Sequence, residues 1–430
     1  MVKSLYCVNN HFLIKGESIV GGSLKITKRR GTLLSILFMI GTRPEAIKML
    51  PLFALFKKNN LPVFLCISSQ HESILQEHLT FFDQTPDFKL SLDTSTKGLN
   101  NTFSEIIKES DRLFKDHKFT WIFVQGDTTT VCAASVAAFN NKISIAHVEA
   151  GLRTYDLENP FPEEGYRNIV SRIATHHYAP TITAYENLIS EKINPANISL
   201  VGNTVIDALH LALDKINQNK KLVSDDLMSF CEKSHAQNKR LFLLTAHRRE
   251  AHGEGLKNIF LSIKDFLHQN PHVNCIYPAH PNPAIEKVLE ETSFISAVNP
   301  NQIFFCKALS YADLVYALSN ADCVATDSGG IQEEAFALSK PIICLRNTTE
   351  RAEGVLSGMT TVVGYNQEKI KATLHLILNI PSIKKISQLQ AYGDGKSCEK
   401  ILNHFKNLIF TDNSNAFVDN KEIESERIKK

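Results

Sequence analysis

Residues 145 to 167 read IAHVEAGLRTYDLENPFPEEGYR, an apolar run followed by the carboxylates Glu149, Asp156, Glu158, Glu163 and Glu164. Glu149 comes straight off the apolar run, and Glu163 stands in a Pro-flanked turn ahead of a helical pattern. Carboxylates in such places can bind a metal, cap a helix, form salt bridges or move protons. One that leaves a buried strand needs a partner or a task. Asp127 in QGDTTT follows another apolar run, where it is either a helix N-cap or a second chemical group. No H-E-x-x-H, D-x-D or His/Cys cluster lies near Glu149 or Glu163, which disfavours metal.

Three other stretches carry positive charge or open backbone at the end of an apolar run. GTRPEA (Gly41 to Ala46) opens a helix, and its free N–H groups favour an anion with Arg43 and Lys48 close by. A plain strand-to-helix turn with solvated charges explains it equally well, because the full G-x-G-x-x-G fingerprint is missing. HRRE (His247 to Glu250) puts a histidine and two arginines at a strand end, a set suited to a diphosphate. TDSGGIQEEA (Thr326 to Ala335) is the most telling. Ser328-Gly329-Gly330 lets backbone N–H groups approach a ligand, and Glu334 lies about one turn into the helix, placed for ribose hydroxyls.

These residues need a scaffold, and the patterning supplies one. LLSILFMI, PVFLCIS, WIFVQGD and ISIAHVEA have strand length and β-branched or aromatic character, and amphipathic stretches alternate with them. The alternation predicts a parallel sheet with helices on both faces. It fades through the polar stretch NQNKKLVSDDLMSFCEKSHAQNKR and restarts at RLFLLTAH. We therefore expect an α/β chain of two doubly wound Rossmann-like domains facing a cleft. The expected boundaries are an extension over 1–32, a first domain over 33–215, a second over 216–410 and a polar tail over 411–430. In an alternative arrangement the closing helices pack back on the first domain.

The 430 residues exceed one ordinary core. A net charge of +2 gives no nucleic-acid or membrane footprint, so an anionic ligand must be held by local groups. The longest early apolar run, Leu33 to Ile40, is far short of a membrane span. Nine scattered cysteines without a C-x-x-C pair fit buried thiols in a reducing, cytoplasmic setting.

Taken in order, GTRPEAIKM, GDTTT, HVEAGLRT, PFPEEGYR, VGNTVID, HRRE, YPAHPNP, TDSGGIQEEA and TTER resemble the non-hydrolysing UDP-N-acetylglucosamine 2-epimerases, from about Ser35 to residue 405. That family shares its two-domain architecture with one large class of nucleotide-sugar glycosyltransferases (the GT-B type). The resemblance implies that Arg43, Lys48, His247, Ser328, Gly329, Gly330, Glu334 and Arg351 surround the UDP moiety. It makes Asp127, Glu149 and Glu163 the acid/base carboxylates around the sugar, with His247 also stabilising UDP as it leaves. It implies a second UDP-GlcNAc acting as an allosteric activator on Gln70, Arg248 and His280, and a homodimer. The family reaction is elimination of UDP to a bound 2-acetamidoglucal, then re-addition with a proton on the opposite face of C2. Two faces need at least two acid/base groups, and neither NAD nor a metal has a step to perform. Departures from the family pattern occur at Gly165-Tyr166 and at Leu309 and Leu314 near the expected uracil pocket. The rival readings are a related UDP-2-acetamido sugar as substrate, a hydrolysing epimerase, a glycosyltransferase of the same fold, and a catalytically silent sensor.

Overall fold

The computed structural model describes residues 6–8, 11–13, 34–68, 72–93, 98–379 and 391–409. Near the start, β1 (Tyr6–Val8) pairs antiparallel with β2 (His11–Leu13), Cys7 opposite Phe12. The rest divides into two compact units, Met1–Asp207 with Gly395–Lys430, and Ala208–Asp394. Each is built on its own parallel sheet.

In the first unit the strands are β3 (Ile36–Ile40), β4 (Val63–Ser68), β5 (Phe88–Leu90), β6 (Trp121–Gln125), β7 (Ser144–Val148), β8 (His176–Ala179) and β9 (Ile198–Leu200). They lie in the order β5-β4-β3-β6-β7-β8-β9. β3 and β6 are buried at every position, the pattern of strands covered on both faces, which is why they read as unbroken apolar runs. Phe38 stacks on Phe123 at 4.8 Å and meets Phe53 and Phe56 edge-on at 5.4 and 5.5 Å. Full burial of one such side chain is worth about 2–3 kcal/mol.

The second unit holds β10 (Arg240–Thr245), β11 (Val273–Pro278), β12 (Ile303–Cys306), β13 (Cys323–Thr326), β14 (Ile342–Cys344) and β15 (Thr360–Val362). Its order is β12-β11-β10-β13-β14-β15, again all parallel. Phe260, Tyr277 and Phe294 pack against one another beneath it, with ring centroids 5.1 to 5.7 Å apart. Both sheets therefore reverse strand order once, between β3 and β6 and between β10 and β13. In open α/β sheets ligands bind outside the carboxyl ends of the strands at such a reversal.

The division between units falls after Asp207, inside the helix Thr204–Gln218, not at the 215/216 boundary expected from the polar stretch. The last described helix, over 397–409, belongs with the first unit. Its Phe405 is fully buried against Trp121, Phe123 and Phe56, at centroid distances of 5.2, 5.1 and 5.6 Å. Its His404 stacks on His176 at 4.2 Å and shares a hydrogen bond with the Tyr178 hydroxyl at 3.2 Å. Asp207 anchors the start of that helix, accepting from the backbone N–H groups of Ser397 at 3.1 Å and Cys398 at 2.8 Å. The polar tail expected over 411–430 lies outside the described residues. Among the described residues no helix is long and apolar enough to cross a membrane.

Candidate active site

At the reversal of the first sheet, the turn after β3 meets the turn after β6. Gly41 has no room for a side chain, since a Cβ there would sit 2.1 Å from Thr130 Oγ1 and 2.9 Å from Ser68 Oγ. Glu45, 1% exposed, ties the two turns together. It accepts from the Gly41 N–H at 2.7 Å, from Thr42 Oγ1 at 2.8 Å and from Thr128 Oγ1 at 2.8 Å. Burial outweighs those three donors and pushes its carboxyl up to about 7. The helix Arg43–Lys58 begins here without a side-chain cap from Thr42, leaving first-turn N–H groups available to an anion. Arg43 is exposed at its first position.

The carboxylates singled out in the sequence differ in their surroundings. Glu149 follows β7 in a left-handed backbone conformation, φ 61°, which non-glycine residues seldom adopt and which is common at functional sites. Its Oε2 accepts from the Lys48 ammonium and from Asn203 Nδ2, the latter at 3.0 Å. Lys48, expected beside a phosphate, is thus engaged with a carboxylate, and both side chains are nearly buried. Asp127 accepts from Arg167 Nε at 2.8 Å, and Arg167 Nη1 also donates to Glu164 at 2.9 Å. Glu164, 1% exposed, takes a further bond from the Tyr155 N–H at 3.0 Å. Glu163 opens the helix Glu163–Ile173, and its Oε2 is buried without a hydrogen-bond partner.

His147 sits behind these groups on β7. Burial lowers it to about 4, so the ring is neutral, and its Nε2 donates to the Gly126 carbonyl at 2.8 Å. Gly126 turns with φ 79°, and the histidine braces that turn directly before Asp127. Asp156 and Glu158, from the opening cluster, are exposed loop residues.

At the reversal of the second sheet, a buried carboxylate again spans the two turns. Asp327, fully buried after β13, accepts from the backbone N–H groups of His247 at 2.6 Å and Arg248 at 2.7 Å, both after β10. The His247 ring lies parallel to that of His280, with centroids 5.2 Å apart. Ser328 precedes the helix Gly329–Ala337 without capping it, so its first N–H groups are open to an anion. Arg351 packs flat against Gly329, where an added Cβ would come within 2.7 Å of its Cζ. Its guanidinium is held by Glu333 at 3.0 Å and by Glu350. Glu334 is buried and accepts from the Tyr311 hydroxyl at 3.2 Å.

Asp127, Glu149, His247, His280 and Ser328 follow closely on strands of their own unit, whereas Lys48, Glu163 and Glu334 lie in helices and Arg351 precedes the helix Ala352–Leu356. Gln70, expected in the second ligand site, lies outside the described residues. Glu45, Arg167, Asn203 and Asp327 join these groups without having been expected from the sequence, although all four stand inside the motifs GTRPEA, PFPEEGYR, VGNTVID and TDSGGIQEEA.

Comparison with known proteins gives a concordant picture. The family model described as UDP-N-acetylglucosamine 2-epimerase matches residues 54–406. A UDP-N-acetylglucosamine 2-epimerase of Campylobacter jejuni is 40% identical over 372 residues, covering 86% of this chain and 96% of the relative. The crystal structure of UDP-GlcNAc 2-epimerase from Neisseria meningitidis bound to UDP-GlcNAc superposes with a TM-score of 0.79 at 36% identity, covering 87% of this chain and 100% of that one. A kitacinnamycin glycotransferase, 9% identical with a TM-score of 0.56 over 86% of this chain and 99% of its own, shares the fold alone.

Proposed function

The chain belongs to the UDP-N-acetylglucosamine 2-epimerase family, and we propose that it interconverts UDP-N-acetylglucosamine and UDP-N-acetylmannosamine by the non-hydrolysing route. UDP departs from C1, a carboxylate takes the C2 proton, and 2-acetamidoglucal stays bound. UDP then adds back to C1 while a second carboxylate protonates the opposite face of C2. The C1–O bond broken in the first half is remade in the second, so nothing is consumed.

The observation that carries this reading is the set of three carboxylates, Asp127, Glu149 and Glu163, each in a different hydrogen-bonding environment around neighbouring strand ends. Acid/base work on two faces needs groups whose surroundings differ. A carboxylate beside C1 also favours the oxocarbenium-like character of the transition state. In the second unit, the Ser328-Gly329-Gly330 turn, with His247 beside it, is assigned to the diphosphate. Glu334 is assigned to the ribose and Arg351 to the UDP moiety. Arg248 and His280, with Gln70, are assigned to a second UDP-GlcNAc that activates by favouring one conformation. A cytoplasmic homodimer that supplies N-acetylmannosamine units for surface polysaccharide fits the same reading.

Turnover in D2O tests it. Deuterium should enter C2 of both epimers while the anomeric C1–H is retained, as read by NMR. Epimerisation without deuterium uptake would sink the elimination route. Release of free N-acetylmannosamine and UDP would favour the hydrolysing alternative.

A further inference from the structure

The helix Glu163–Ile173 brings two ionic groups to one face, because residues four apart on a helix are neighbours. One is Glu163, with its buried and unpartnered Oε2. The other is Arg167, whose side chain is 7% exposed. Arg167 reaches out of its own helix to Asp127 on the turn after β6, Nε to Oδ2 at 2.8 Å. It also holds Glu164 within the helix, Nη1 to Oε2 at 2.9 Å. One guanidinium therefore serves two carboxylates, and the Asp127 side chain, 24% exposed, keeps its Oδ1 for a ligand.

We propose that Arg167 is a positioning residue for the reaction: it locks the Asp127 carboxylate in one orientation, so that its second oxygen is aimed for proton transfer. The proposal rests on the acid/base role read for Asp127 above. A carboxylate has two oxygens, and a charge-assisted bond from a planar fork to one of them fixes the direction of the other. Among the described residues Arg167 is the cation that bonds Asp127, while the His147 brace acts on the carbonyl of Gly126. Glu45, from the first turn of the helix Arg43–Lys58, and His147 also feel the Asp127 charge. Without the fork the acceptor oxygen swings.

Kinetics of Arg167→Gln, Arg167→Lys and Arg172→Gln test the assignment, with Asp127→Asn alone and combined with Arg167→Gln. Arg172 lies on the same helix but is exposed, and among the described residues it bonds the Glu191 carbonyl alone. Arg167→Gln should lower kcat about 10²-fold, the scale of a general acid/base group, with KM little changed. Arg167→Lys, which restores the charge without the fork, should recover about tenfold of that loss. The double variant should be no slower than Asp127→Asn alone, and Arg172→Gln should match the parent. A slow Arg167→Gln with a raised KM, a lowered Tm and losses that multiply with those of Asp127→Asn would make Arg167 a structural tie and overturn the proposal. A fast Arg167→Gln beside a slow Asp127→Asn would overturn it too, while leaving the acid/base reading intact. If Asp127→Asn itself keeps the parent rate, the reading of Asp127 fails first. Should Arg167→Gln not fold, Arg167→Lys against the parent, alone and combined with Asp127→Asn, gives the same kcat and double-variant readouts.

Discussion

Lys48 and Glu149 stand 101 residues apart in the chain, yet the ammonium of one donates to the carboxylate of the other beside the strand ends of the first unit. Both side chains are nearly buried, 6% and 7% exposed, so neither charge can fall back on water. Breaking such a pair from one side leaves an uncompensated charge and costs about 3–5 kcal/mol. Lys48→Met should therefore lower both Tm and kcat. Lys48→Met with Glu149→Gln should be more stable than Lys48→Met alone, as a double-mutant cycle by thermal denaturation would show. Additive losses would mean the two groups are not coupled.

Asn203 carries the second donor to Glu149, at 3.0 Å. Asn203→Ala should reduce kcat more than it reduces Tm, because Lys48 still balances the charge while the carboxylate loses one of two bonds that fix it. Glu149→Gln and Glu163→Gln should each cost roughly 10²-fold in kcat. Near-parent turnover by Glu163→Gln would reduce that residue to a helix-opening carboxylate.

In the second unit, Asp327 accepts from two consecutive backbone N–H groups, those of His247 and Arg248. Asp327→Ala removes the acceptor that sets the course of the chain carrying both side chains. UDP affinity measured by calorimetry should fall together with kcat. Gly329→Ala presses on Arg351, which cannot easily yield because Glu333 and Glu350 hold it. Weaker UDP binding is the expected outcome. Unaltered affinity would remove this turn from the diphosphate site.

Stability should depend on pH in a definite direction. Burial lowers His147 to about 4 and His176 and His177 to about 3, against the ordinary 6.5. Below 6.5 the unfolded chain binds protons that the folded chain refuses, so stability is full above about 6.5 and falls as pH drops toward 3. Glu45 works the other way. Its raised carboxyl favours the fold below its ordinary value of 4.5, and that contribution is lost as pH rises through about 7. Three histidines outweigh one glutamate, so Tm should decrease from pH 7 to pH 5. His177→Leu should flatten that slope, and the parent's margin over Glu45→Gln should narrow between pH 5 and pH 8. A Tm independent of pH across this range would contradict the buried, neutral state of the rings.

The doubly wound architecture was legible because β3, β6, β7 and β10 are short apolar runs separated by amphipathic stretches, and period and length are local properties. The site motifs were legible for a related reason. Gly41, Gly126 and Gly329 each follow a strand, and such turns are where ligands approach the backbone. What the chain's linear order hid were pairings between distant residues. Lys48 reads as a cation near an anion-binding turn, and only folding reveals Glu149 as its partner. Asp327 reads as one more polar residue before a Gly-Gly turn, and nothing local says that it grips the strand end eighty residues earlier. Composition marks where polarity rises, whereas the compact units divide after Asp207, earlier in the chain than the polar stretch.

The last described helix, over 397–409, constrains synthesis. The aromatic surface formed by Phe56, Trp121 and Phe123 is complete once the first 200 or so residues have left the ribosome, but Phe405, which covers it, lies beyond the whole second unit. At about 5–20 residues per second the gap lasts roughly 10–40 s. Through that interval the nascent first unit presents an open apolar face with its cover still untranslated, and a holdase has a defined window and a defined surface on which to act.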